Sequence, residues 1–157
     1  MKREPFDAED PGVMAVLSPP LERDIEAIAR WYANATILAG SLIPLSDVLD
    51  STARRRTPRT LVLTDGTNQP VGLMSVALDD PGPGWATVAL LAIAGPGQRD
   101  VAALAVAMLE AYLQGEARDI RASMPLEAGL ALYFWLRLGY RPVASGGGLW
   151  MIRELEA

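Results

Sequence analysis

The stretch Trp85-Ala-Thr-Val-Ala-Leu-Leu-Ala-Ile-Ala94 is followed by the turn Gly95-Pro-Gly-Gln-Arg-Asp100 and an alanine-rich run from Val101 to about Gln114. The first segment is apolar on both faces, which predicts a central strand. The third has helical spacing and ends before a glycine. A second strand is expected at Asp119–Met124. If both strands share a sheet, this order requires a right-handed crossover, so we expect them to be parallel neighbours.

The other predicted elements are short and bounded by turn residues. They are strands at 12–17, 60–64, 71–78, 140–144 and 149–155, and helices at 21–34, 46–56 and 126–138. The order β-α-α-β-β-β-α-β-α-β-β predicts a single α/β domain over residues 1–157, with a mixed sheet in which antiparallel hairpins precede the crossover.

Composition excludes several classes of active site. The 157 residues include neither cysteine nor histidine. This excludes disulfides, thiolate and histidine metal ligands, cysteine nucleophiles and Ser-His-Asp triads. Half of the residues are hydrophobic and 21% are charged, which is typical of a globular domain with a real core. We expect no metal site.

The charge balance restricts the partners. With 14 Lys and Arg against 19 Asp and Glu, the net charge is −5, and the chain lacks the basic stripe that non-specific nucleic-acid binding needs. Acidity suits a cationic, amine-bearing substrate, but it also serves solubility alone. Residues 1–10 are polar and acidic, unlike a signal peptide, and the apolar stretch 86–94 is too short to span a bilayer. We expect a cytoplasmic protein with no nucleic-acid or membrane partner.

The element order and two local segments resemble the GCN5-related N-acetyltransferase superfamily over nearly the whole chain. The family's pyrophosphate loop has the pattern Val-x-Pro-x-x-(Arg/Gln)-x-x-Gly-x-(Gly/Ala), and residues 94–104 match it in part. Pro96 and Arg99 fall in place, whereas Ala102 stands where the first glycine belongs and Leu104 where the second small residue belongs. Glycine suits this loop because backbone N–H groups at a helix N-terminus can then approach phosphates closely.

The resemblance implies a mostly antiparallel, mixed seven-stranded sheet with helices on both faces, and acetyl-CoA as co-substrate. The strands 85–94 and 119–124 should splay apart near Gly95, and the backbone near Ala92–Ala94 should bind the thioester oxygen. The implied cofactor-binding residues are Ala92, Ile93, Ala94, Arg99, Asp100, Val101, Ala102, Ala103, Leu104 and Trp135.

The second matching segment is 132–140, which resembles the family's Phe-Tyr-x-x-Leu-Gly-Phe ending and shares Leu138 and Gly139 with it. Trp135 aligns with the tyrosine that protonates the CoA thiolate in many members, and Ala128 aligns with the family's Asn. An indole N–H donates a hydrogen bond but is not a practical acid. The sequence therefore names no catalytic residue.

Several residues admit two interpretations. Trp31 and Tyr32 either line an acceptor pocket or pack in the core, and Asp79 and Asp80 are either a general base or, as we favour, turn formers. The triplet 54–56 is basic, but a solvated helix end explains it better than phosphate binding.

Two functional hypotheses remain open. The first is an acetyl-CoA-dependent N-acetyltransferase that acts on a small-molecule or peptide amine by direct transfer. The second is a weak or inactive binding or regulatory module with the same fold, favoured by the substitutions at Ala102, Leu104, Ala128 and Trp135. A homodimer is compatible with either hypothesis, and the sequence does not identify the acceptor.

Overall fold

The computed structural model describes residues 14–50, 59–125, 129–146 and 148–155. Within these ranges the strands are β1 (Val16–Ser18), β2 (Thr36–Ala39), β3 (Arg59–Thr64), β4 (Pro70–Leu78), β5 (Trp85–Ile93), β6 (Asp119–Ser123), β7 (Arg141–Ser145) and β8 (Gly148–Glu154). The helices are α1 (Glu22–Tyr32), α2 (Leu45–Asp50), α3 (Arg99–Leu113) and α4 (Gly129–Arg137).

The strands form one mixed sheet in the order β1-β3-β4-β5-β6-β8-β7, with β2 paired to β5 beside this path. β5 and β6 are parallel neighbours, in register from Trp85 opposite Asp119 to Val88 opposite Ala122. Every other described pair of these strands is antiparallel. The predicted parallel pairing of these two strands and the mixed, mostly antiparallel sheet are therefore confirmed.

The described part of the sheet has eight strands, so the expected count of seven is one too low. The additional strand, β2, lies between α1 and α2, where the sequence analysis predicted only a connection. Its four residues are too few to show a strand period, and only the neighbouring edge of β5 makes them a strand.

The divergence of β5 from β6 also begins earlier than expected. Their pairing ends at Val88 and Ala122, well before Gly95. Beyond that point β2 takes the position of β6 against β5, with Thr36 opposite Ile93 and Ala39 opposite Leu91. The gap between the two parallel strands therefore lies along the second half of β5.

Helices cover both faces of the sheet, as expected. On one face α3 and α4 bury their apolar side chains with residues of β5, β6 and β8, and this core includes Trp135 and Met151. On the other face α1 and α2 contribute Ile28, Tyr32 and Val48 to a second cluster. The gap in the sheet therefore lies between two packed layers.

Two helix starts differ from the sequence prediction. Asp100 and Ser46 are residue types favoured at helix N-caps, and the sequence predicts that role for both. A 3₁₀ turn at Pro96–Gln98 instead leads directly into α3, so Asp100 lies in the first turn of the helix. Ser46 likewise lies inside α2. At the start of α1, the Asp24 carboxylate accepts a hydrogen bond from the Leu21 N–H at 3.1 Å, which caps the helix.

Candidate functional site

The loop after β5 presents the N-terminus of a fifteen-residue helix. The residue before the helix, Gln98, makes no side-chain capping bond, and Arg99 and Asp100 are exposed. The Arg99 Nε donates to the Pro96 carbonyl at 3.0 Å, which holds the guanidinium at the helix start. The Arg99 N–H donates to the Pro96 carbonyl of the preceding 3₁₀ turn, and the dipole of the helix attracts anions at its N-terminal end.

A cavity of about 350 Å³ opens beside this helix start, between α3 and α4. Arg99 and Arg137 both line it, together with Tyr133, whose side chain is 70% exposed, and the single acid Asp100. Two guanidinium groups near a helix N-terminus suit a ligand with several negative charges. The sequence analysis missed Arg137, because a basic residue in the last turn of a helix is expected from the helix dipole alone.

The predicted cofactor-binding residues 101–104 differ in how deeply they are buried. Val101 and Ala102 are buried, and Ala102 belongs to the core cluster beneath α3. Ala103 lines the cavity and is half-buried, and Leu104 is also half-buried. A ligand at the helix start would therefore meet the backbone of residues 101 and 102 more than their side chains.

The strand edge near Ala92–Ala94 is already paired. Ile93 lies opposite Thr36 and Ala92 opposite Ile37 in the β2–β5 ladder. The Ala94 N–H donates to the Val71 carbonyl of β4 at 2.8 Å. The backbone groups that the resemblance assigns to a thioester oxygen are thus held inside the sheet.

Trp135 lies at the same gap and is fully buried. Its Nε1 donates to the Leu38 carbonyl of β2 at 2.6 Å. The Phe134 and Tyr140 rings contact the indole edge to face, with centroids at 5.1 and 4.8 Å. The structure thus brings Trp135 close to the predicted cofactor edge, but the only donor of the indole is engaged by β2.

A second buried aromatic group near Trp135 is equally engaged. The Tyr140 hydroxyl donates to Glu110 Oε2 at 2.6 Å, and Arg153 donates to Glu110 Oε1 at 3.1 Å and to the Leu138 carbonyl at 3.0 Å. Burial and the Glu110 carboxylate raise the pKa of Tyr140 far above its usual value, although Arg153 opposes the shift. This phenol stays protonated and fastens α3 to the start of β7, while Arg153 links the same carboxylate to β8.

The two candidate bases lie at the wrong end of β5. Asp79 and Asp80 occupy the turn before Trp85, about 26 Å along the strand from Ile93. The Asp79 N–H donates to the Trp85 carbonyl at 2.8 Å. Arg121 lies 3.9 Å from the Asp80 carboxylate. Both aspartates are turn formers, as we favoured.

Trp31 and Tyr32 hold α1 in place by packing and hydrogen bonds, and neither lines the cavity beside α3 or the one beside α2. Tyr32 is 6% exposed, and its hydroxyl donates to the Ile43 carbonyl at 2.6 Å. Burial raises the pKa of this phenol despite that hydrogen bond. The Trp31 Nε1 donates to the Pro70 carbonyl at 3.1 Å. These contacts fix α1 against β4 and against the segment that precedes α2.

A smaller cavity, of about 240 Å³, lies on the face covered by α2. Its polar lining includes Ser41, Asp47 and Ser75, and the backbone around Gly40 and Ala89 closes one side. Asp47 is the titratable residue among those that line it, and it is exposed. An exposed carboxylate beside a small cavity suits a cationic amine.

Some of the sequence predictions concern residues that the structure does not describe. Ala128, the basic triplet 54–56 and the N-terminal residues 1–10 lie outside the described residues. Among those described, no group of three or more acidic residues is placed to hold a metal ion. Within the same ranges, no helix combines the length and apolarity needed to cross a bilayer.

Solved structures share this fold over nearly the whole chain. An acetyltransferase from Thermus thermophilus is 26% identical, with a TM-score of 0.73 over 92% of this chain and 99% of that chain. The ribosomal-protein-S18-alanine N-acetyltransferase from Escherichia coli is 15% identical, with a TM-score of 0.63 over 92% and 96%. A GCN5-related N-acetyltransferase from Kribbella flavida is 19% identical, with a TM-score of 0.63 over 90% and 98%. Neither a protein-family model nor a curated protein matches the sequence.

Proposed function

We propose that this chain, which has the fold of the GCN5-related N-acetyltransferase superfamily, is an acetyl-CoA-dependent N-acetyltransferase. The observation that carries the proposal is the anion-attracting helix start after β5. There a helix N-terminus that the Gln98 side chain leaves uncovered meets the cavity lined by Arg99 and Arg137. These groups fit the phosphates of a coenzyme A ester.

Acetyl-CoA would supply an activated thioester. The backbone at the start of α3, with Arg99 and Arg137 beside it, would hold the phosphates. Asp100 lies among them as an opposing charge, so the arginines are expected to contribute the larger share of the attraction. Leu104, which stands where the loop pattern has a small residue, is expected to lower the affinity for acetyl-CoA.

The acceptor we propose is a small-molecule or peptide amine, bound in the cavity beside α2. Asp47 would attract the ammonium form of the amine at the mouth of that cavity. The net charge of −5 favours the approach of cations in general. A cytoplasmic location belongs to the same proposal.

Trp135 limits the rate that we expect. Its indole cannot protonate a departing thiolate, so water would have to serve as the acid. One general acid contributes typically about 10²–10⁴-fold. Positioning of amine and thioester supplies the remainder of the catalysis, which leaves a slow enzyme.

The test measures thiol release from acetyl-CoA across a panel of amines with a thiol-reactive dye. The chain has no cysteine, so the protein gives no background signal. Slow, amine-dependent release is expected. Trp135→Tyr should give a rate about 10-fold or more above that of Trp135→Phe, because both variants remove the indole and only tyrosine adds a titratable donor. The rate at low amine concentration should fall in Asp47→Asn and stay unchanged in Glu116→Gln, which also removes one exposed carboxylate.

A second function, a binding or regulatory module, is favoured by one specific observation. The hydrogen bond from Trp135 Nε1 to the Leu38 carbonyl fixes β2 in the gap beside β5, which suits a silent site. Acetyl-CoA binding by calorimetry without thiol release for any amine, in Trp135→Tyr as well, would support this second function. The absence of both binding and release would overturn the enzyme proposal.

A further inference from the structure

The gap between β5 and β6 is filled by the chain itself. β5 and β6 separate after Val88 and Ala122, and β2 runs antiparallel along the second half of β5. Leu38 and Ala39 of β2 are fully buried there. This gap is where the resemblance expects the thioester end of acetyl-CoA, so the protein's own backbone occupies the expected ligand position.

The strand that each backbone N–H of residues 92–94 faces follows from the hydrogen bonds of β5. The Ala94 N–H points to β4, because it donates to the Val71 carbonyl. Neighbouring residues of a strand direct their N–H groups to opposite edges. The N–H of Ala92 therefore also faces β4, and that of Ile93 faces Thr36 of β2. Ile93 is the predicted thioester donor that β2 covers.

β2 is also held from its other side. The Trp135 indole donates to the Leu38 carbonyl at 2.6 Å. The Gly40 N–H, just after β2, donates to the carbonyl of Ser123 at the end of β6 at 2.8 Å. The same segment therefore bridges β5, β6 and α4, and it occupies the edge of β5 that the Ile93 N–H faces.

We propose that β2 is a displaceable strand that competes with acyl-CoA for the second half of β5, so that its departure switches the site from closed to open. The inference rests on the proposed function. The β2 ladder is only three residue pairs long and is interrupted by an irregularity between Ile37 and Ala39. A ligand that binds only the open state has an apparent affinity reduced by the fraction of molecules that are open.

Gly40 is the position that permits the closed state. Its φ is +77°, and a Cβ placed there would lie 2.0 Å from the Ala89 carbonyl oxygen of β5. Gly40→Ala therefore cannot keep β2 fully docked, but it adds nothing to β5 itself. Gly115 is a matched control, since its φ is +91° and a Cβ added there would meet nothing within 4 Å; Gly115→Ala carries the backbone strain without the clash.

A disulfide provides the opposite perturbation. Ile37 and Ala92 are direct antiparallel partners, at a separation that a disulfide spans, and the chain has no other cysteine. Ile37→Cys/Ala92→Cys is closed when oxidised and free to open when reduced. Val16→Cys/Thr64→Cys joins another antiparallel pair at the far edge of the sheet as control.

The experiment is calorimetric titration of each protein with acetyl-CoA, with hydrogen exchange of residues 36–39 measured alongside. Oxidation of the Ile37/Ala92 pair should reduce binding at least tenfold, and reduction should restore it, while the control pair should bind equally in both states. Gly40→Ala should speed exchange in β2 and tighten binding about tenfold, and Gly115→Ala should do neither.

The outcomes separate this inference from the proposed function. Equal binding by the oxidised and reduced Ile37/Ala92 protein would overturn the competition, while acetyl-CoA binding itself would still stand. If Gly40→Ala fails to fold, the disulfide comparison alone decides. Absence of acetyl-CoA binding in every protein, the reduced and Gly40→Ala variants included, would overturn the proposed function and the competition with it.

Discussion

The two halves of β5 are held in different ways. Residues 85–88 lie between β4 and the parallel neighbour β6, and residues 91–93 lie between β4 and the short strand β2. The first half depends on a crossover through a fifteen-residue helix. The second depends on four residues from between α1 and α2, fixed by Trp135. One half belongs to the permanent frame of the sheet, and the other is held by a ladder of three residue pairs, the Trp135 indole and the hydrogen bond from Gly40 to Ser123.

The largest effect is expected at the second half. Trp135→Ala removes a fully buried indole and leaves the Leu38 carbonyl without its donor, so the free energy of unfolding should fall by about 3–5 kcal/mol. Chemical denaturation measures this loss. Hydrogen exchange in residues 36–39 should be faster than exchange in residues 85–88 in both wild type and variant, because β2 opens locally. Equal exchange rates in the two halves would contradict their independence.

A smaller effect is expected at Tyr140, which contacts Trp135 and donates to Glu110. Tyr140→Phe should lower the free energy of unfolding by about 1.5–3 kcal/mol, because a hydrogen bond to a charged group is lost. The native pKa of this phenol is raised above the ordinary value of 10.0. Wild type should therefore keep its advantage over the variant below pH 10 and lose it as the pH rises further.

Denaturation series between pH 7 and pH 11 measure that difference. Tyr133→Phe is the control, since the Tyr133 side chain is 70% exposed, and wild type should show no comparable advantage over it. An advantage over Tyr140→Phe that persists undiminished at pH 11 would contradict the buried, protonated phenol.

The smallest effect is expected at the first half of β5. Ile120 is fully buried on β6, opposite Ala86, and Ile120→Val should cost about 0.5–1.5 kcal/mol of unfolding free energy. Because residues 85–88 are expected to open only with the whole protein, their exchange should follow this loss. Residues 36–39, which open locally, should exchange as in wild type. A change in exchange rate confined to residues 36–39 would contradict the assignment of local opening to β2 and global opening to residues 85–88.

The same contrast explains what the sequence could predict. The parallel pairing of β5 and β6 follows from a strand–loop–helix–strand order and the handedness of crossovers. β2 has no comparable signal, because Thr36–Ala39 is short and its partner lies more than fifty residues further along the chain. Edge pairing of this kind depends on tertiary packing, which a local pattern does not encode.

In the candidate site, too, some features follow from local sequence and others depend on long-range packing. The helix start near Arg99 is predictable from Pro96 and the strand before it. The cavity needs Arg137 as well, which α4 brings next to α3 through packing. Trp135 lies near the predicted cofactor edge, but its acceptor, the Leu38 carbonyl, is 97 residues away. No spacing rule connects those two residues.

The full burial of Leu38 and Ala39 in the gap has a calorimetric consequence. A ligand that enters an open apolar cleft buries surface and lowers the heat capacity. If β2 must first leave, these two side chains meet water and raise it. Acyl-CoA binding to the wild-type chain would then have a less negative heat-capacity change than binding to Gly40→Ala. The temperature dependence of the binding enthalpy would thus report the movement of a four-residue strand.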